Sequence, residues 1–230
     1  MRRDLLRLLA AVPLLGACSG PSPLREADLR PVAPDGLPSD LPAPMLRVGD
    51  EWRYVMRSEL TGLTTDRVQL RVSAVDAGGY QIAGRSQEAG PFEVRYDRDL
   101  NIIRSRGSAF QPPYPRFAFP LAIGKSWRAD VTSTLPAAVS DGAILQSVSA
   151  TAQGWERVTV PAGTFTALRV VLAINWRNVN YASVWGSSGE TFWYAAQVRN
   201  AVLHHRVDYP HDGAQSNNIV TELESFSAGA

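Results

Sequence analysis

The 230-residue sequence is poor in cysteine and histidine and has no long apolar run. Its one cysteine, Cys18, can form no disulfide within the chain. The early apolar stretch, residues 8–15, contains Pro13 and is far shorter than the roughly 20 residues that a membrane-spanning helix needs. The 23 basic and 22 acidic residues nearly cancel and form no basic patch, so nucleic acid is not an expected partner.

Sequence motifs of common enzyme classes are also missing. The chain has no glycine-rich phosphate loop, no dinucleotide fingerprint and no nucleophile elbow around its serines. We therefore predict no catalytic residue, no cofactor and no enzymatic activity.

The N-terminus has the layout of a secretory signal, with three early arginines, a short apolar stretch and small residues before Cys18. The run Leu15-Gly16-Ala17-Cys18 resembles the lipobox of bacterial lipoproteins. An ordinary secretory signal followed by a chance cysteine is the alternative. We expect residues 1–17 to be a lipoprotein signal peptide.

The lipobox resemblance implies that Cys18 begins the mature protein and carries acyl chains. Each buried methylene of such chains contributes about 0.8 kcal/mol, so several chains give stable attachment to a membrane. By analogy with lipoprotein sorting, Ser19 after the cysteine implies transfer to the outer membrane, on the periplasmic side. With Cys18 acylated, the folded region has no thiol for catalysis or metal binding.

The segment after Cys18 is rich in proline and poor in apolar residues. Between residues 18 and 44 it contains seven prolines: Pro21, Pro23, Pro31, Pro34, Pro38, Pro42 and Pro44. Proline removes backbone donors and favours an extended, semi-rigid chain. We expect residues 18–44 to form a poorly ordered tether and residues 45–230 to form the folded domain.

Two-residue alternation of apolar and polar side chains dominates that domain. One example is residues 168–176, where the apolar face consists of Leu168, Val170, Leu172, Ile174 and Trp176. Residues 67–75 alternate in the same way, and turn residues recur every 8–12 positions. The pattern predicts an all-β fold, an antiparallel curved sheet that forms a half-barrel or a sandwich.

The domain also contains an internal echo. Residues 46–52 and 121–127 share leucine, a β-branched residue, glycine and tryptophan at the same offsets, which puts Trp52 and Trp127 75 positions apart. The echo indicates a duplication with halves 45–120 and 121–230, although a chance coincidence is the alternative. Both tryptophans are expected to be core anchors. Between them, segment 111–120 is interpreted as a crossover that covers a sheet edge, or as a groove wall.

Three motifs together resemble a widespread group of bacterial envelope proteins of unknown function. They are a GxxW strand entry at 49–52, a VPAGTF hairpin at 160–165 and a WY pair at 193–194. The resemblance implies a curved antiparallel sheet, distantly similar to the half-barrels of lipoprotein carriers, and it brings no catalytic residues. In that group proline and glycine follow the WY pair, whereas this chain has Ala196 and Arg199.

The adjacent histidines His204 and His205 invite comparison with a metal site. Neighbours on a strand point to opposite faces, and the apolar residues Leu203 and Val207 predict that His205 faces inward and His204 outward. Two side chains on opposite faces cannot easily share an ion, so we predict no metal site.

Three functions remain open at the level of sequence. The favoured one is a non-enzymatic binding or scaffold module with an envelope protein or lipid as partner. The second is a carrier for a lipid or other apolar ligand, in a cavity whose weak candidate lining residues are Trp176, Phe192 and Tyr194. The third is a hydrolase, which needs a cleft where Asp, Glu and His side chains converge.

Overall fold

The structure, a computed structural model, describes residues 29–134 and 142–229. The expected signal peptide, the acylated Cys18 and the first part of the expected tether lie outside the described residues.

The described residues contain fifteen β-strands, one short 3-10 helix, Ala196–Val198, and no α-helix. The strands are β1 (Leu29–Val32), β2 (Asp40–Leu41), β3 (Glu51–Ser58), β4 (Thr64–Asp76), β5 (Gly79–Ser86), β6 (Gly90–Tyr96), β7 (Ile102–Ser105), β8 (Ser108–Tyr114), β9 (Leu121–Ala122), β10 (Ser126–Thr134), β11 (Ala143–Val160), β12 (Gly163–Asn178), β13 (Trp185–Ala195), β14 (Asn200–Pro210) and β15 (Asn217–Ser227). Among these residues no helix is long and apolar enough to cross a membrane.

Twelve of the strands close into an antiparallel barrel. Strands β3 to β8 and β10 to β15 each follow one another as neighbours, and two seams join the two runs. At one seam β8 pairs with β10, and at the other β15 pairs with β3. The all-β, antiparallel, curved sheet that the alternation predicts is confirmed, and the curvature continues until the sheet meets itself.

The alternation predicted for residues 168–176 is the alternation of β12. Leu168, Val170, Leu172 and Ile174 are buried on the inner face of this strand. On β4 the regular pattern ends early, because a bulge shifts the register between Val72 and Ala74 and leaves Ala74 exposed. A bulge of this kind has no signature in the apolar pattern.

One end of the barrel, here called the base, is filled by aromatic side chains. Trp52 stacks on Phe226 with ring centroids 5.6 Å apart, and its indole N–H donates to the carbonyl of Val198 at 2.7 Å. Phe117 contacts the rings of Phe192 and Tyr194 at centroid distances of 5.6 and 5.5 Å. The base is therefore a packed core.

The segment 111–120 agrees with the second of its two interpretations, a wall, because Tyr114 and Arg116 line the barrel interior. Its first part belongs to β8, in the barrel wall, rather than covering a sheet edge. Its second part turns inward, which buries Arg116 and Phe117. The indole N–H of Trp127 donates to the carbonyl of Pro115 at 3.0 Å and fixes the position of this turn. Trp52 and Trp127 both anchor the base, with Trp52 fully buried and Trp127 partly buried.

The two echoed segments adopt the same turn. Gly49 and Gly124 have φ angles of +93° and +80°, which glycine adopts without a steric penalty. The Gly49 N–H donates to the carbonyl of Val72 in β4 at 2.9 Å, and the Gly124 N–H donates to the carbonyl of Ala152 in β11 at 2.8 Å. Each turn is therefore hydrogen-bonded to the second strand that follows it. Each turn opens one run of six barrel strands. A duplication accounts for this likeness and stays a prediction.

Residues 29–44, which were expected to belong to a tether, pack against the barrel. Leu29–Val32 pairs with β11, and the buried Leu41 pairs with Leu121. The Tyr80 hydroxyl donates to the carbonyl of Pro44 at 2.8 Å. The prediction of a poorly ordered linker is therefore wrong for residues 29–44, because Leu41 is buried, Leu29 and Leu37 pack partly buried against the core, and proline is tolerated on an edge strand. Only residues 19–28 remain between Cys18 and the first strand.

The turn after the WY pair contains Arg199 at the position where the resemblance implies glycine. Arg199 takes φ +57°, a left-handed conformation that disfavours most side chains. Its guanidinium lies 2.6 Å from the carboxylate of the fully buried Asp50. That carboxylate also accepts the N–H groups of Arg47 and Gly229. This ion pair links the residue before β3 to the connection between β13 and β14, and it offsets the strain at Arg199.

The VPAGTF segment forms the predicted hairpin between β11 and β12. Val160 pairs with Gly163, so the connection is a two-residue turn, and Gly163 has the expected positive φ, +129°. The tip reaches across to β15, where the Ala162 N–H donates to the carbonyl of Leu223 at 2.9 Å.

Candidate functional site

A cavity of about 840 Å³ lies inside the barrel, beyond the packed base. Ligand-binding pockets of proteins typically measure roughly 300–1,000 Å³. Met56, Trp176 and Pro210, which line the cavity, lie near the ends of β3, β12 and β14 that point away from the base. The cavity therefore extends to the end of the barrel opposite the base, here called the mouth.

Most of the cavity wall is apolar. Inward-facing side chains from strands on opposite sides of the barrel provide it: Tyr54, Leu70, Val94, Ile102, Phe110, Ile144, Trp176 and Phe192. A wall of this kind favours the burial of an apolar group at about 25 cal/mol per Å² removed from water.

Exposed apolar side chains surround the mouth. They belong to the β3–β4 connection, the β12–β13 connection with the start of β13, and the end of β14: Leu60, Leu63, Val179, Tyr181, Val184, Trp185 and Tyr209. Exposed apolar residues in one region often mark a place where a ligand or partner approaches. None of these seven side chains lines the cavity itself, and Trp185 and Tyr209 lie on the outer faces of β13 and β14.

A cluster of charged side chains interrupts the apolar wall where β13 and β14 pair. Glu190 lies opposite Arg206, and their side chains meet at 2.5 Å. The Tyr114 hydroxyl donates to the same carboxylate at 3.2 Å, and Nε2 of His204 lies 3.4 Å from it. Burial raises the pKa of Glu190, but the nearby His204 and the charge of Arg206 outweigh burial and lower the pKa below its ordinary value.

Asp208 forms the second half of this cluster. Nε of Arg206 donates to it at 2.9 Å, and the Ser188 hydroxyl donates to it at 2.6 Å. The side-chain amide of Asn217 donates a third hydrogen bond at 2.9 Å. Burial raises the pKa of Asp208, but these hydrogen bonds outweigh burial and lower it. Arg206 thus bridges two ionised carboxylates, and the three groups together carry a net charge of −1.

His204 lies inside the barrel, so the predicted orientation of the two histidines is wrong. Its ring stacks on Phe192, with centroids 4.2 Å apart and planes 3° from parallel. Leu203 is buried on the outer face, where it pairs with Trp193. The apolar side of β14 is therefore its outer side, because the inner side carries the polar cluster. No group of three potential metal ligands occurs among the residues that the structure describes.

Arg116 occupies the cavity wall next to the base and is only 8% exposed. Its guanidinium lies over the rings of Tyr96, Phe117 and Phe192, at 5.4, 5.2 and 4.9 Å from their centroids. Its one hydrogen bond in the described part of the chain, to Oδ1 of Asn200, is long at 3.4 Å. No described carboxylate lies within the 4.0 Å of an ion pair with it.

The surroundings of Arg116 compensate its charge only in part. A desolvated cation–π contact contributes about 2 kcal/mol, whereas burial of an ion costs several kcal/mol. The charge of Arg116 also contributes to the lowered pKa of Glu190, so the nearby cluster compensates part of it at longer range. Arg106, the remaining charged lining residue, is exposed in the β7–β8 turn.

Two of the three candidate lining residues line the cavity, and the third does not. Trp176 and Phe192 line the cavity, whereas Tyr194 is only 1% exposed and packs against Phe117 and Phe119 in the base. The alternation along β13 puts Tyr194 and Phe192 on the same face, but it does not show where along the barrel the packed core ends.

Sequence reasoning missed the charged residues of the cavity. Their one sequence signal is the placement of His204, Arg206 and Asp208 at every second position of a strand. Exposed strands have the same pattern, so closure of the barrel is needed to recognise these residues as interior. Arg116 has no signal beyond its place in an aromatic, proline-rich segment.

The fold is similar to that of solved bacterial proteins with low sequence identity. A protein assigned as a lipoprotein of Parabacteroides distasonis has a TM-score of 0.52 at 14% identity, over 81% of this chain and 99% of that chain. An exported protein of Bacteroides fragilis with a YmcC-like fold gives 0.42 at 15% identity, over 82% and 99%. The hypothetical lipoprotein YmcC of Escherichia coli gives 0.44 at 11% identity, over 79% and 86%. No family model and no curated protein matches the chain.

We predict that Glu190→Gln reduces the acid sensitivity of the protein. A carboxyl group with a lowered pKa in the folded state stabilises the fold above its unfolded pKa, here 4.5, and this stabilisation is lost as the pH falls. The variant should be about 1–3 kcal/mol less stable at pH 7, because Arg206 and Tyr114 lose a charged partner. Its free energy of unfolding should then change less than that of the wild type between pH 6 and pH 3.

Urea unfolding at a series of pH values measures both effects. Glu88→Gln is the matched control, because Glu88 is exposed in the β5–β6 turn. Parallel pH profiles for the wild type and Glu190→Gln would contradict the assignment of an ionised Glu190.

Proposed function

We propose that this protein is a non-enzymatic envelope lipoprotein that binds an apolar or amphiphilic small molecule inside its barrel. The observation that carries the proposal is the cavity of about 840 Å³ with mostly apolar walls. A module that acted only as a scaffold would have no need of such a space. The cavity therefore favours ligand binding over a purely structural role.

Two observations support the envelope as the location. The run Leu15-Gly16-Ala17-Cys18 resembles a lipobox, and the solved proteins of similar fold are assigned as lipoproteins or exported proteins. The ten residues from 19 to 28 span at most roughly 31 Å in an extended proline-rich conformation. Acyl chains on Cys18 would hold the barrel close to the membrane, and Ser19 favours the outer one.

The contacts of the charged cluster favour binding over hydrolysis. The Ser188 hydroxyl donates to Asp208 rather than to a histidine, so it is not paired with a base that activates it. Glu190 and Asp208 share Arg206, which keeps both carboxylates ionised. Ionised groups that are bridged in this way shape and rigidify a cavity wall.

We predict that protein released gently from membranes carries a ligand. Native mass spectrometry should show an added mass that disappears when the protein is denatured. Val68→Trp should remove the added mass, because Val68 lines the cavity and the larger side chain fills it. Gln69→Trp is the matched control, since Gln69 is the next residue on β4 and does not line the cavity.

Two results would contradict the binding proposal. One is a wild-type protein that carries no added mass after isolation from its own envelope. The other is retention of that mass by a folded Val68→Trp variant. Far-ultraviolet circular dichroism of both variants establishes that they fold.

We predict that Cys18→Ser abolishes membrane anchoring through acyl chains. The wild type should incorporate radiolabelled palmitate and sediment with outer-membrane vesicles. The variant should incorporate none and should not remain attached after a high-salt wash. Equal labelling and equal attachment of the two proteins would show that Cys18 is not the anchor.

A further inference from the structure

We infer that the ligand is a single-chain amphiphile with one negative charge on its head, such as a long-chain carboxylic acid, and that Arg116 binds the head. The inference rests on the proposed ligand-binding function and narrows the class of ligand. Its starting point is a guanidinium that lines the cavity, is 8% exposed and has no carboxylate partner among the described residues.

The other charged groups of the cavity leave Arg116 as the group that an anion would meet. Arg206 already contacts Glu190 at 2.5 Å and Asp208 at 2.9 Å. A second anion at Arg206 would face both carboxylates and be repelled by them. Arg116 instead lies among three aromatic rings and makes one long hydrogen bond.

The chemistry of the guanidinium fits a carboxylate head. Its planar fork presents parallel N–H donors that match the two oxygens of a carboxylate, and its charge strengthens both hydrogen bonds. The rings of Tyr96, Phe117 and Phe192 lie around Arg116 and restrict the positions that its side chain can take.

The position of Arg116 also sets the orientation of the ligand. Arg116 lies beside Phe117 and Asn200, at the base end of the cavity. From there the apolar walls extend past Val94 and Ile102 toward Trp176 at the mouth. The head therefore binds deep in the barrel and the tail extends toward the mouth.

The experiment compares hexadecanoate with hexadecanol and hexadecylamine, which have the same chain and different head charges. The radiolabelled compounds are equilibrated at pH 8 with the full-length protein immobilised on beads. The wild type should bind hexadecanoate about tenfold or more tightly than hexadecanol, as expected for a buried charge-assisted contact, and hexadecylamine most weakly. Arg116→Met should bind hexadecanoate and hexadecanol equally.

Arg128→Met is the matched control, because Arg128 is exposed and does not line the cavity. It should keep the wild-type preference for hexadecanoate. Equal binding of hexadecanoate and hexadecanol by the wild type would overturn the inference and leave the proposed binding of apolar molecules standing. Binding of neither compound would contradict the proposed function itself. The wild-type comparison decides the inference even if Arg116→Met fails to fold.

Discussion

The closure of the sheet is the constraint on which the rest of the structure depends. The barrel closes where β15, near the C-terminus, pairs with β3, the first barrel strand. Closure gives every barrel strand a neighbour on each side, although β8 and β10 pair over only three residues. It also divides the side chains of each strand into an inner and an outer set, which creates the interior where the candidate site lies.

The buried pair of Asp50 and Arg199 holds this closure at the base. Asp50 precedes β3, Arg199 precedes β14, and the N–H of Gly229 donates to the same carboxylate. A buried carboxylate that lost its partner would cost several kcal/mol. Arg199 takes a left-handed conformation at a local conformational cost and gains an interaction between distant parts of the chain.

The two ends of the barrel differ because the connection between its halves fills only one of them. Phe117 comes from this connection and meets Phe192 and Tyr194, so the base packs as a protein core does. No comparable segment of the described chain fills the mouth end, where the cavity lies. Arg116, one residue before Phe117, is carried to the boundary between the packed and the hollow part. The placement of a cation there is a consequence of how the base is filled.

The strand pattern of the sequence predicts much of this fold and little of its site. Alternation along β12 shows which side chains face inward, and the echo around Trp52 and Trp127 locates two core anchors. The same alternation gives the wrong answer for His204, because it assumes that the apolar side of a strand is the inner side. The sequence pattern also misses the role of residues 29–44. Their many prolines indicate a linker, although their leucines pack against the barrel. Local patterns do not contain the distant pairings that close a barrel and turn Arg116, Glu190 and Asp208 into neighbours of one cavity.

The central claim is that the barrel is closed and packed at the base but hollow toward the mouth. Methyl NMR in the presence of a spin-labelled hydrocarbon chain tests it directly, because the label broadens the signals of methyl groups near it. The account predicts broadening of Met56, Val94 and Ile144, which line the cavity, and sharp signals for Leu168 and Val198 in the base. Sharp signals for the three cavity residues, with broadening only at exposed methyl groups such as those of Met45 and Leu63, would contradict it.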